Sequence, residues 1–218
     1  MFRALISKEL RENAWIALVA LAVYAYVASD ATGSSLFPWT SPRAGEIPFI
    51  SGSFTQMWLY ITIILSIVLG FRQTLAESML DTWSFLLHRP AERNHILAAK
   101  LLVGAGLCLI CGAVPILVYA WWAATPGTHP SPFEWSMTLS VWKRLACMTL
   151  LYLGAFLSGL RPARWQATRL FPLVTAAVLA MLIGNAPWWW GWGFGALVLT
   201  CAWFAASIFY TADSCDLS

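Results

Sequence analysis

Charged residues are scarce in this chain of 218 residues: 11% of them are Asp, Glu, Lys or Arg, whereas 60% are hydrophobic. A soluble domain carries about 25% charged residues, so this composition excludes a water-soluble globular protein. Because one membrane crossing takes about 20 apolar residues, the length allows at most about seven crossings. A catalytic domain of ordinary size is therefore expected on another chain.

The sequence also lacks the motifs of several enzyme classes. A phosphate-binding P-loop requires a lysine that follows a glycine, whereas Lys8, Lys100 and Lys143 follow serine, alanine and tryptophan. The three histidines form no His-Glu-x-x-His pattern, and no Gly-x-Ser-x-Gly elbow occurs. We therefore expect no catalytic residue, cofactor or metal on this chain. The net charge of +3 is spread along the chain and gives no support for nucleic-acid binding.

Six apolar segments predict the fold. An α-helix satisfies its own backbone hydrogen bonds and is the open-chain structure that can span lipid. The segments cover residues 14–29, 54–71, 96–123, 141–160, 170–186 and 193–212. The sequence therefore predicts an all-α integral membrane protein with six transmembrane helices in a single domain over residues 1–218.

The basic residues predict the orientation of these helices. With the N-terminus in the cytoplasm, ten of the thirteen lysines and arginines fall on the inner side, as in membrane proteins whose cytoplasmic loops are basic. We expect a multi-pass protein of the cell (inner) membrane with both termini cytoplasmic. Residues 185–195 contain Pro187 and three glycines between two apolar segments, which predicts a tight outer turn or a short re-entrant piece.

Two amphipathic segments are expected on the inner side. The first fourteen residues place Phe2, Leu5, Ile6 and Leu10 at helical spacing, which predicts an interfacial helix along the inner leaflet before the chain turns to cross. In the loop between helices two and three, the apolar spacing predicts a helix over 73–88 that stops before Pro90. A further helix begins near Ala91 and continues into the third crossing. The loop is thus a cytoplasmic elbow.

Lys143 and Arg144 lie near the outer start of the fourth crossing. One interpretation is that their long side chains snorkel to the lipid headgroups. The alternative is an electropositive outer vestibule for an anionic, lipid-like cargo.

The inner loop also carries a family resemblance. Its residues follow one another in a spacing that resembles the inner loop of ABC-2-type transporter permeases, and the N-terminal Lys8-Glu9-Leu10-Arg11 resembles the same family. The residues that carry the loop resemblance are Gly70, Phe71, Glu77, Thr82, Phe85, Leu86, Leu87, Pro90, Arg93, Lys100, Leu101 and Leu102. The resemblance implies a dimer, formed with a second copy or a similar permease, whose inner loop docks as a coupling helix onto a separate ATPase subunit.

Under this resemblance, ATP and Mg are bound by the partner, and the chain moves cargo by alternating access. The expected contact residues with the ATPase are Glu77, Ser78, Asp81, Thr82, Trp83, Leu86, Leu87 and Arg89. The apolar crossings and small outer loops favour an amphipathic or lipid-like cargo. Two alternatives stay open: a non-transporting scaffold or membrane subunit of a lipid-modifying complex, and one half of a longer protein.

Overall fold

A computed structural model describes residues 2–33, 47–50, 53–79, 93–128, 132–161 and 166–214 of the chain. The regular secondary structure in these ranges is helical. The α-helices are α1 (Phe2–Ala31), α2 (Ser53–Met79), α3 (Arg93–Ala124), α4 (Leu139–Leu160), α5 (Gln166–Gly184) and α6 (Phe194–Ser214). A 3-10 turn, Trp135–Thr138, precedes α4, and a π-helical turn, Trp189–Gly193, precedes α6.

Five helical segments within the described ranges are long and apolar enough to cross a membrane. They are Phe2–Ala31, Ser53–Leu75, Asn94–Ala124, Trp135–Leu160 and Trp189–Ala212. The predicted all-α, multi-pass membrane protein is therefore confirmed. The predicted crossing at 170–186 corresponds to a shorter apolar helix, Thr168–Gly184, so the sixth crossing stays a prediction.

The N-terminal prediction is wrong in one respect, because the chain does not turn between the amphipathic segment and the first crossing. α1 is a continuous helix of 30 residues. At 1.5 Å per residue it is about 45 Å long, whereas the hydrocarbon core of a bilayer is about 30 Å thick. The helix can therefore span the core and carry its charged first turns into the headgroup region without a break.

The helices that flank the inner loop are longer than the apolar segments alone. α2 continues without a break to Met79, so it includes residues 73–79 of the predicted loop helix. The rest of that helix and the Pro90 break lie outside the described residues. α3 begins at Arg93, near the predicted start, and continues to Ala124 as a single helix.

α4 is the central helix of the bundle. The membrane segment that contains it is 72% buried, compared with 22% for the segment that contains α6. α4 packs against α2, α3, α5 and α6, while α1 packs against α2 and α3. A Cβ atom on Gly70 of α2 would overlap Ala155 of α4, and one on Gly154 would overlap Ala176 of α5. These small residues let the helix backbones approach closely, as is common in membrane bundles.

A buried tryptophan of α2 binds the turn of α3 that precedes a proline. Pro115 has no N–H, so its helix loses a hydrogen bond in the preceding turn. Trp58 of α2 donates from Nε1 to the carbonyl oxygen of Gly112 at 2.9 Å, and its side chain is fully buried. The carbonyl oxygen that Pro115 leaves without its helical donor is that of Cys111. Trp58 binds the next carbonyl in the same turn and ties α2 to α3 there.

The bundle has two chemically different ends. At one end, which we call the basic end, Gln73 contacts Lys100 and Arg169 contacts the end of α4. At the other, which we call the aromatic end, Phe54 stacks on Tyr119 with 4.2 Å between ring centroids, and Phe49 contacts both rings. Residues predicted to lie on the cytoplasmic side of the membrane meet at the basic end. Residues predicted to lie on the outer side meet at the aromatic end.

Candidate functional site

The buried face of α1 extends from its apolar part towards the N-terminus, where its buried residues are polar. Its buried positions recur every three or four residues, and the two nearest the N-terminus are Glu9 and Asn13. Because α1 is unbroken, this face stays directed at α2 and α3 along the helix. Phe2 meets His95 at the first turns of the two helices, with 6.3 Å between ring centroids. About two turns further along α1, the same pair of helices brings Glu9 against Lys100.

Glu9 and Lys100 form a buried ion pair. The distance from Glu9 Oε1 to Lys100 Nζ is 2.9 Å, and the side chains are 6% and 3% exposed. A charge in a membrane protein interior is costly unless it is paired, and loss of one partner leaves the other uncompensated. The pair therefore holds α1 and α3 in one register. Lys8 and Glu12, by contrast, form an exposed pair at 3.5 Å.

Two further helices join this pair through hydrogen bonds. Tyr152 of α4 donates its hydroxyl to Gln73 Oε1 of α2 at 2.6 Å and also lies 3.2 Å from the carbonyl oxygen of Lys100. Gln73 Nε2 donates to the same carbonyl at 3.3 Å. A Cβ atom on Gly104 of α3 would overlap the Tyr152 hydroxyl and ring. Gly104 thus provides the space in which Tyr152 reaches α2 and α3.

We call Glu9, Gln73, Lys100 and Tyr152 the ionic cluster. It contains one residue from each of α1, α2, α3 and α4, and all four are buried. Asn13 borders it: Nδ2 donates to the carbonyl oxygen of Glu9 at 2.9 Å, while buried Oδ1 has no hydrogen-bond partner among the described residues. The cluster therefore fixes the relative positions of four helices at the basic end.

Arginines tie other helix pairs at the same end. Arg72 of α2 donates to the carbonyl oxygen of Glu12 at 3.3 Å, and its guanidinium carbon lies 5.4 Å from the centroid of the Trp15 ring. Arg169 of α5 donates to the carbonyl oxygens of Ser158 and Gly159 at 3.3 Å each. These carbonyls belong to the last turn of α4, where a cation is favourable.

The core between the two ends contains neutral polar contacts. Thr62 donates to the carbonyl oxygen of Trp58 at 2.6 Å, so the Tyr24 hydroxyl donates to Thr62 at 2.7 Å. Ser66 lies 3.0 Å from the Cys108 sulfur. No group of three or more His, Cys, Asp or Glu residues suited to a metal ion occurs within the described ranges. These contacts join α1, α2 and α3 and are explained by packing.

Most residues of the predicted ATPase contact lie outside the described residues. Glu77 and Ser78 belong to the last turn of α2, and their side chains are outside the description. The rest of that set lies outside it entirely: Asp81, Thr82, Trp83, Leu86, Leu87 and Arg89. The structure therefore describes the two helices that the loop joins, but not the loop contact surface itself.

The two predicted vestibule residues lie near the start of α4 at the aromatic end. Lys143 and Arg144 are partly buried, and neither forms an ion pair with a carboxylate of the described residues. Lys143 Nζ lies 5.9 Å from the centroid of the Trp189 ring. The structure thus joins Lys143 to the π-helical turn before α6, a contact that sequence reasoning did not predict.

Sequence reasoning also missed the ionic cluster. Lys100 and Glu9 lie in the family-like motifs, but these motifs predict no partner for either residue, and no motif of the sequence contains Tyr152. The available signal was the spacing of Tyr24, Ala20, Asn13 and Glu9, which continues the buried face of α1 to its charged start. Comparison with protein-family models, with curated proteins and with solved structures finds no match to this chain.

Proposed function

We propose that the chain is the membrane subunit of an ATP-driven exporter that resembles ABC-2-type permeases. In this proposal a separate subunit binds ATP and Mg and hydrolyses ATP, and the present chain moves an amphipathic or lipid-like cargo by alternating access. It works in the cell inner membrane as a dimer with a second copy or a similar permease, with both termini in the cytoplasm.

The ionic cluster is the observation that best supports this proposal. The predicted ATPase-docking loop connects α2 to α3, and Gln73 and Lys100, near its two ends, are joined by a hydrogen bond of 3.3 Å. Lys100 is also paired with Glu9 of α1. A force applied to the loop would therefore act on α1, α2, α3 and α4 together. Networks of packed side chains, hydrogen bonds and ion pairs carry energetic coupling between sites, so the cluster would suit a permease driven by a cytoplasmic motor.

Packing of the cluster favours concerted motion over local bending. Close-packed interiors switch between discrete arrangements and do not deform continuously. Tyr152 belongs to α4, the central helix, and is fully buried against Gly104. Displacement of the loop would thus reach the middle of the bundle through side chains that cannot move independently.

Co-purification tests the proposal most directly. The chain, tagged and expressed in its native host, should retain an ATP-binding protein, and the Trp83→Ala/Arg89→Ala variant should lose it while the helical content is unchanged. Trp and Arg are frequent anchors at protein interfaces. A matched control is Trp188→Ala/Arg43→Ala, which removes the same residue types on the predicted outer side and should retain the partner.

The outcomes separate the candidate functions. Retention of the ATP-binding protein by the parent chain and its loss in the Trp83/Arg89 variant support the exporter. If the parent chain retains no ATP-binding protein under conditions that preserve its fold, the exporter is rejected. A scaffold or a subunit of a lipid-modifying complex then becomes the preferred function. Equal retention by all three chains would show that the contact lies elsewhere.

A further inference from the structure

We propose that Lys143, Arg144 and Trp189 form a binding site for the phosphate headgroup of an anionic membrane lipid at the aromatic end of the bundle. The proposal does not depend on an ATPase partner, so its failure and that of the proposed exporter are separable.

The site contains positive charge that is not paired with a carboxylate of the described residues. Lys143 and Arg144 are consecutive residues of α4, the most enclosed membrane segment, and both are partly buried. The described carboxylates at this end are Asp30 and Glu134, and neither forms an ion pair with them. Glu134 is exposed and accepts a hydrogen bond from Ser136 at 3.2 Å. Two positive charges that are partly withdrawn from water favour a nearby anion as counter-ion.

The π-helical turn places one indole beside these cations. Trp189 is 5% exposed, whereas its neighbours Trp188, Trp190 and Trp192 are 75%, 75% and 80% exposed. The distance of 5.9 Å from Lys143 Nζ to the Trp189 ring centroid lies within the range of about 6 Å for a cation–π contact. The Trp189 ring thus positions the Lys143 ammonium group at the bundle surface.

Gly193 is required for this position of the indole. A Cβ atom at residue 193 would lie 2.9 Å from a ring carbon of Trp189, closer than packed carbon atoms come to each other. The glycine at position 193 is therefore explained by the inward position of the Trp189 side chain.

A phospholipid is the anion that suits this place best. The three exposed tryptophans, two in this turn and Trp188 directly before it, are of the kind found at headgroup level in membranes. An arginine can bind a phosphate with two parallel N–H donors, and a lysine adds a point charge. The exposed apolar side chain of Phe194, which follows the turn, offers a surface for acyl chains. The expected ligand is therefore an anionic phospholipid such as phosphatidylglycerol.

The test measures lipid retention in nanodiscs of phosphatidylcholine with a minor fraction of phosphatidylglycerol. Lys143→Ala and Arg144→Ala should each lower the retained phosphatidylglycerol about fivefold relative to phosphatidylcholine. Lys143→Arg should keep most of it. Trp189→Leu and Gly193→Ala should act in the same direction as Lys143→Ala. A photoreactive phosphatidylglycerol should crosslink to peptides that contain residues 143–144 or 189–193.

Arg161→Ala is the matched control, because Arg161 lies at the opposite end of α4. An equal loss in this variant would reduce the effect to general attraction between basic residues and anionic lipid, and the site would be rejected. Unchanged retention in Lys143→Ala/Arg144→Ala would reject it as well. Displacement of the crosslink by inorganic phosphate alone would assign the site to a free anion and overturn the lipid as ligand.

Discussion

Glu9 and Lys100 form an ion pair between two parallel membrane helices, with 2.9 Å between Oε1 and Nζ and both side chains almost fully buried. The pair lies near the start of each helix, so it fixes the register of α1 against α3. Lys100 also offers its carbonyl oxygen to Gln73 and Tyr152. One residue therefore connects to three neighbouring helices at the point where the inner loop meets the bundle.

The first prediction concerns the cost of breaking this pair. Glu9→Gln and Lys100→Met should each lower the free energy of unfolding by about 3–5 kcal/mol, because each leaves a buried group without its partner. The double variant Glu9→Leu/Lys100→Met should recover most of the loss, since it removes both charges. Denaturing-detergent titration followed by circular dichroism measures these differences.

The exposed pair Lys8–Glu12 provides the control for the first prediction. It has the same residue types at 3.5 Å, with both side chains 49% exposed. Lys8→Met or Glu12→Gln should change the free energy of unfolding by about 0–1 kcal/mol. If the buried and exposed variants gave equal losses, burial would not be what makes the Glu9–Lys100 pair important.

The second prediction compares two glycines of α3. Gly104→Ala should destabilise the protein by about 1–3 kcal/mol, because the new Cβ atom overlaps Tyr152 and overpacking has this cost. Gly106→Ala should instead stabilise it by about 0.5–1 kcal/mol, because nothing lies within 4 Å of its Cβ position and alanine favours a helix. Equal effects of the two substitutions would contradict the close contact between α3 and Tyr152.

Tyr152→Phe gives a third, chemically narrower prediction. The substitution keeps the ring but removes the hydroxyl that donates to Gln73 Oε1 at 2.6 Å. The buried amide oxygen then lacks this donor, at a cost of about 1–3 kcal/mol. Gln73→Leu should cost a similar amount. In the double variant the losses should not add, because both substitutions remove the same hydrogen bond; additive losses in a double-mutant cycle would show that the two residues act separately.

The membrane helices could be predicted from the sequence because long apolar segments have few alternatives to a helix in lipid. The ionic cluster could not, because its residues come from four helices and their approach depends on packing. Glu9 shows the difficulty. Within the first fourteen residues alone, Glu9 belongs to the charged face of an amphipathic segment. The unbroken α1 instead places it on the buried face with Tyr24.

Contacts between helices also depend on small residues whose role cannot be predicted from the sequence. Gly104 and Gly70 are ordinary glycines in apolar segments, yet each marks a place where α4 approaches closely. The π-helical turn is a similar case. Residues 185–195 predict an irregular segment, but the inward position of Trp189 follows from its contacts with Lys143 and Gly193.

The fourth prediction concerns topology. Because ten of thirteen basic residues fall on one predicted side, cysteines at Ser7 and Thr168 should react with a membrane-impermeant maleimide only in opened cells. A cysteine at Ser136 should react in intact cells. All three positions are exposed in the structure. The parent chain with its native cysteines gives the background, and labelling of Ser7→Cys in intact cells would invert the proposed orientation.

The last prediction is that the chain alone has no ATPase activity, yet changes that of its proposed partner. The sequence has no glycine-lysine pair for a P-loop, so purified chain in lipid should give the same phosphate release as empty nanodiscs. Coupling between two binding sites is reciprocal, so a cargo that favours one state of the helices must alter the nucleotide affinity of the partner.

Glu9→Leu/Lys100→Met, which keeps the fold but removes the link between α1 and α3, should weaken this cargo effect without weakening ATPase binding. The control variant Lys8→Met/Glu12→Gln should keep the full cargo effect. The measurement is the ATP turnover and nucleotide affinity of the partner, with and without a panel of amphipathic cargoes. Identical values with and without this chain would contradict a mechanical role of the ionic cluster and would favour the non-transporting scaffold.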